Sequence, residues 1–298
     1  VGGIGNVEHN SILVRYSNDF SIWDLESVNH YKDQTDIFFT CHEFSYNKIA
    51  EAYEPYLGLI RQMFHKYCSG TLEEFMEECD VYKLQRPVFE SYFEKGFCER
   101  TEQILIDEVE YEQERMRNSI VTMLQKLSEI RPVVIVLNRF QLASKSTMQL
   151  SNSLLQVKNK NIGIVLGVND VQSIPEFAHE EWDAICESMD DRNMVYHIGN
   201  AGRNMEPDVM DYYSDYESDD GYRKLNNLVY FLDFDQADHH LSKIERRIKF
   251  DNFTISEKKH YQLLLLQIMV SVLQRDIAKA LESCEDLEKL QDQEKEGD

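Results

Sequence analysis

Two short apolar runs stand out along the chain, Val133–Leu137 and Ile162–Leu166. Both are rich in β-branched residues and stop at polar clusters, the pattern of strands covered on both faces in a parallel sheet. The segment between them is amphipathic. Ser144 to Ser146 can cap a helix whose inward positions include Met148, Leu150, Leu154 and Leu155. Arg131 to Asp170 therefore predicts a βαβ unit. A helix around Pro175–Ser188 and a strand at Met194–Ile198 continue the alternation, and Asp36–Cys41 adds a further strand. Ser11–Tyr16 reads either as a strand or as part of a helix. Strand–helix alternation with short connections implies an α/β fold with a parallel sheet and flanking helices.

The rest of the pattern is helical. Glu54 precedes Pro55, which predicts a break and then a fresh helix. In that helix Tyr56, Leu59, Ile60, Met63, Phe64 and Tyr67 share one face. Residues 71–130 read as helical throughout, most clearly from Glu102 to Ile130, where Leu105, Val109, Met116, Ile120, Met123, Leu124 and Leu127 form the inward stripe. Glu112, Glu114, Arg115 and Arg117 lie off that stripe and read as a solvated face, not a carboxylate active site. From Lys224 the periodicity is purely helical and repeats. Ala237 aligns with Ala280, Asp233 with Asp276, Phe234 with Ile277, Leu241 with Cys284 and Ile244 with Leu287, each pair 43 residues apart. A turn followed by a helix with a small residue inside it predicts helical hairpins packed as a solenoid. Tyr261–Leu273 is apolar nearly all round and predicts a buried helix of that array.

Composition adds a boundary. Residues 204–222 carry seven acidic residues, no basic ones and four tyrosines, and read as a solvated linker or, alternatively, as a docking segment for a basic surface. The expected organisation is an α/β domain over 1–203, the linker, and helical hairpins over 223–298. Net charge is -23, a field that repels phosphate backbones, so this chain is not expected to bind nucleic acid directly. No apolar run is long enough to cross a bilayer, and no secretory signal opens the chain. The six cysteines are scattered without metal-ligand spacing. They read as reduced cytoplasmic thiols, and no metal site is expected from them. Without an initiator Met, and with an end inside an acidic helical pattern, the sequence reads as part of a longer polypeptide.

Candidate chemistry begins at the glycine cluster VGGIGNV, residues 1–7. The cluster reads either as a flexible N-terminal leader or as a phosphate-cradling loop, for which Gly3 and Gly5 would supply the backbone freedom. The Lys and Ser/Thr positions of such a loop fall on Asn6 and Val7, which carry neither a charge nor a hydroxyl. RPVVIVLNRFQLASKSTMQLSNSLL, followed by NIGIVLGVND, resembles the second-motif region of the STAND class of AAA-like signalling ATPases. EAYEPYLGLI resembles the segment after their second strand, and the hairpins resemble the tetratricopeptide-like repeats that often follow. The resemblance implies a P-loop-NTPase-like sheet followed by an all-α repeat region. ATP or ADP would be the ligand, held by Gly3, Gly5, Asn6, Val7, Asn138, Arg139 and Asn169 if binding is retained.

The family's acidic pair, which positions Mg²⁺ and the attacking water, falls here on Asn138 and Arg139. An amide does not replace a carboxylate at a divalent cation, and a guanidinium repels it. The family's Arg after the fourth strand falls on Asn169 or Asp170, and its winged-helix module is not evident. The expectation is a regulatory or scaffold module of a bacterial signalling protein. It would carry no catalytic residue and no cofactor. Its helical repeats would meet a protein partner, and its output domain would lie outside the chain. The alternative is a nucleotide-binding switch controlling an attached diguanylate cyclase or transcription regulator.

Overall fold

A computed structural model describes residues 11–16, 22, 28, 32, 34–45, 48–98, 109–157, 159–169, 174, 178–191, 194–198, 218–250 and 254–297. The strands are β1 (Ser11–Tyr16), β2 (Phe38–Glu43), β3 (Val133–Asn138), β4 (Ile162–Asn169) and β5 (Val195–Ile198). They form one sheet in the order β2-β3-β4-β1-β5, with every pairing parallel. Ser11–Tyr16 is thus a strand, beside both β4 and β5.

The central strands β3 and β4 are buried along their whole length, as their apolar runs require. β4 runs on through Gly167 to Asn169, beyond the predicted end at Leu166, because Val14, Arg15 and Tyr16 of β1 continue the ladder opposite Gly167, Val168 and Asn169. β2 sits two residues later than the aromatic run suggests. Pairing with β3 sets Phe38 opposite Val133 and Glu43 opposite Asn138, and an edge strand tolerates the polar His42 and Glu43.

Helices α1 (Tyr56–Tyr67), α2 (Leu72–Glu78), α3 (Arg86–Lys95) and α4 (Val109–Ile130) lie between β2 and β3 in sequence. The stretch 71–130 is broken where continuous helix was expected. α2 stops at Cys79, Asp80 takes a left-handed conformation with φ 53°, and α3 restarts with Pro87 in its first turn. α5 (Lys145–Gln156) connects β3 to β4, and α6 (His179–Asp190) precedes β5. Leu13, Ile135, Leu137, Ile164 and Leu166 share one core with these helices, while Val14, Val134, Val136 and Val165 face the other side of the sheet with Ile22 and Val28.

The remaining helices are α7 (Asp219–Tyr230), α8 (Phe234–Phe250), α9 (Glu257–Leu273) and α10 (Ile277–Gly297). α7 starts at Asp219, inside the stretch that composition assigned to a linker, because the Ser218 side chain accepts the Gly221 N–H and two aspartates occupy the first turn. Residues 204–217 lie outside the described set.

The two hairpins repeat in backbone detail at the 43-residue interval. Leu232 and Arg275 are both left-handed, with φ 66° and 63°. Phe231 N–H donates to Asn227 as Gln274 N–H does to Val270, and Asp233 N–H donates to Leu228 as Asp276 N–H does to Ser271. Ala237 and Ala280 are both buried inside the following helices. α9 departs from the expectation of burial all round: Leu263, Leu266 and Val270 are covered, while Tyr261, Leu265 and Val272 remain exposed.

The first hairpin packs against the sheet and its helices. Its apolar residues belong to the same core as the strands, with Phe231 packed edge-on against the rings of Tyr53, Phe89 and Tyr92.

Candidate functional site

In an open parallel sheet, ligands gather beyond the carboxyl ends of the strands. Here β1, β2, β3 and β4 end in Tyr16, Glu43, Asn138 and Asn169. Asn138 is only 4% exposed, and its Oδ1 accepts the Tyr16 hydroxyl at 2.6 Å. Burial pushes the Tyr16 phenol up to about 12, so it stays a protonated donor at neutral pH. Arg139, left-handed at φ 53°, turns the chain into a 3₁₀ segment at Phe140–Leu142, and its Nε lies 3.3 Å from Glu43 Oε1. Asn169 N–H donates to the buried Gln141 side chain at 3.4 Å.

Gly167 makes this packing possible. A Cβ there would stand 2.6 Å from Ile22 Cδ1 and 2.9 Å from Asn138 Oδ1. Gly167→Ala is expected to destabilise the chain by about 1–3 kcal/mol through overpacking, read as a lower urea midpoint with an unchanged slope.

Of the sequence candidates, the structure brings Asn138, Arg139 and Asn169 to one edge. Gly3, Gly5, Asn6, Val7 and Asp170 lie outside the described residues. The glycine cluster precedes β1, whereas a phosphate loop leaves the end of a strand and enters a helix. The segment that leaves β1, residues 17–21, reads SNDFS, with neither glycine nor lysine.

Next to the edge, a polar seam joins the sheet body to the first hairpin. Glu51 Oε2 accepts Asn227 Nδ2–H at 2.7 Å, and Asn227 Oδ1 accepts the Cys98 N–H at 2.8 Å. Burial, then the neighbouring Glu54 carboxylate, pushes the Glu51 carboxyl up to about 7. The Glu54 carboxyl is also raised, chiefly by burial. His42 Nε2 lies 3.5 Å from Glu54 Oε1, but burial lowers the imidazole to about 4, so the ring is neutral and the contact is not an ion pair at neutral pH.

Asp233, from the turn between α7 and α8, accepts the Ser146 N–H at 2.9 Å at the start of α5. Gln236 accepts the Lys145 N–H and donates to the Ala50 carbonyl. The hairpin thus supplies caps to the helix that follows Asn138–Arg139. Tyr16, Glu43, Gln141 and the seam acids escaped the sequence reading; of these only Glu43 carried a signal, as the polar end of an aromatic strand.

Elsewhere, Glu245, Glu282 and Asp286 cluster closely enough to hold a cation, but Lys249 Nζ lies 2.8–3.2 Å from a carboxylate oxygen of each and stands where such a cation would sit. His240 is a buried core histidine of α8. A cleft of about 1430 Å³ opens between α4, α5 and α6 and the hairpin turns, lined by Tyr111, Arg117, Gln149, Asn152, Asp235 and Arg275 among others. Among the described residues no helix is long and apolar enough to cross a membrane.

No family model, curated protein or solved structure matches the chain.

Proposed function

We propose that the chain is a regulatory or scaffold module: an AAA-like sheet that has lost its nucleotide chemistry, joined to tetratricopeptide-like hairpins that meet a protein partner. The observation that carries this reading is the filled strand edge. Where Mg²⁺ carboxylates would stand, a buried amide accepts the Tyr16 hydroxyl, and Arg139 lies beside Glu43. A divalent cation there would meet a neutral amide and a guanidinium, and phosphoryl transfer would lack the charge stabilisation on which it depends. The strand order supports the AAA-like part, because that sheet places its first strand between the fourth and fifth and its second at the far edge.

Isothermal titration with ATP and ADP, with and without Mg²⁺, tests the proposal. The expected result is no heat of binding for either nucleotide. Micromolar, Mg²⁺-dependent binding would overturn it in favour of a nucleotide-gated switch.

A further inference from the structure

The cleft between α4, α5, α6 and the hairpin turns holds about 1430 Å³, more than the roughly 300–1,000 Å³ of a pocket for a drug-sized ligand. Its α5 floor is uncharged, unlike the outer face of α4 with Glu112, Glu114, Arg115 and Arg117. That floor is the stripe Gln149, Asn152, Ser153 and Gln156, spaced to share one side of the helix. Gln149 braces the walls. Its Oε1 accepts from Arg117 of α4 at 3.2 Å, and its Nε2–H donates to Glu181 of α6 at 2.8 Å.

Two oxygens of the lining residues, Asn152 Oδ1 and Glu181 Oε2, are shielded from solvent and accept no hydrogen bond within the chain. A shielded acceptor is costly until a donor reaches it. At the rim Tyr111 is 51% exposed, with Arg115 stacked 4.2 Å from its ring centroid. That contact steadies the ring and leaves surface for a second partner. Val272, also 51% exposed, adds an apolar patch from the second hairpin turn.

We infer that this cleft binds a neutral oligosaccharide, with sugar hydroxyls on the Asn152 and Gln156 amides and the Glu114 and Glu180 carboxylates, and one sugar ring against Tyr111. The lining chemistry selects that class. Hydroxyls both donate and accept, and a side-chain amide offers a donor and an acceptor side by side. The C–H face of a sugar needs an apolar surface with a polar handle, which a tyrosine ring supplies. Acids outnumber cations along the cleft, so a phosphorylated ligand is repelled, while Arg117, Lys145 and Arg275 oppose a polyamine. A polypeptide segment is the weaker occupant: peptide recognition uses pockets for alternate side chains, and the α5 stripe offers amides in their place. The volume calls for an elongated ligand of several sugar rings. The inference deepens the regulatory reading by naming a sensed input, and rests on that reading only in calling the ligand a signal.

The test is to incubate the full chain on an array of neutral oligosaccharides: gluco-, manno-, galacto-, xylo- and N-acetylglucosamine oligomers. The strongest binder is then titrated calorimetrically against the wild type, Y111A, Y111F, N152A/Q156A and Y196A, the last an exposed tyrosine of β5 outside the cleft. An unchanged circular dichroism melt checks folding, and N152A/Q156A carries the test if Y111A does not fold. The expected result is saturable binding that weakens at least about tenfold in Y111A and in N152A/Q156A, and that Y111F and Y196A retain. An array on which nothing binds overturns the inference, as does a binder that N152A/Q156A holds as tightly as the wild type. Spermidine or a lysine-rich peptide, titrated in parallel, overturns the sugar assignment if it binds and N152A/Q156A abolishes that binding. The nucleotide titrations are independent of all these outcomes, so a failed sugar site leaves the reading of the strand edge standing.

Discussion

Phe231→Ala is expected to destabilise the whole chain by about 3–5 kcal/mol, the range for emptying a large buried aromatic site. Phe231 is fully buried, and three rings meet it edge-on: Tyr53 from the loop before α1, and Phe89 and Tyr92 from α3. Those rings belong to the sheet body, while Phe231 belongs to the first hairpin. Truncation therefore opens a void shared by both. The consequence is cooperative: hydrogen exchange should rise together in peptides from β3–β4 and from α7–α8, and a chemical melt should keep a single transition at a lower midpoint. A variant in which only α7 to α10 lose protection would show the hairpins to be an independent unit.

The legible parts of this fold are those whose signals are local. β3 and β4 are buried on both faces, so consecutive apolar residues marked them, and only the reach of β4 to Asn169 needed its partner strand to be known. The hairpin turns were legible because Asp233–Ala237 and Asp276–Ala280 have the same spacing. Equivalent positions do not hold equivalent roles, however. Asp276 accepts the N–H of Lys279 in its own helix, whereas Asp233 reaches across to the N–H of Ser146. The sequence could not distinguish the two, because the difference lies in what the first hairpin packs against. The same limit hid the strand edge. That the strand end at Asn138 and Arg139 carries no carboxylate was readable, but that Tyr16 holds Asn138 from 122 residues away and that Glu43 pairs with Arg139 depended on strand order. The seam is more remote still, with Glu51 and Asn227 separated by 176 positions.

That seam yields the second large effect, a stability that falls as pH rises. The Glu51 carboxyl moves from 4.5 to about 7 on folding, because burial and the Glu54 carboxylate disfavour its charge. A folded-state value raised in this way contributes stability that is fully present below 4.5 and is lost as pH climbs through 7. Such a displacement corresponds to about 3 kcal/mol, and solvent reaching this half-buried seam reduces it to about 2. Glu51→Gln keeps an oxygen for the Asn227 amide and removes the charge. Glu54, Lys224 and Asp220, the other charged groups facing this carboxyl, stay in place in both proteins. The variant should match the wild type at pH 4.5 and exceed it by about 2 kcal/mol at pH 8, with the gain appearing between. Other groups that titrate in this range, such as His42, are common to both proteins and drop out of the difference. Urea melts at half-unit pH steps measure that difference directly. A curve flat from pH 4.5 to 8 would mean that Glu51 is already well solvated and that its bond to Asn227 does not bury its charge at the junction of sheet and hairpin.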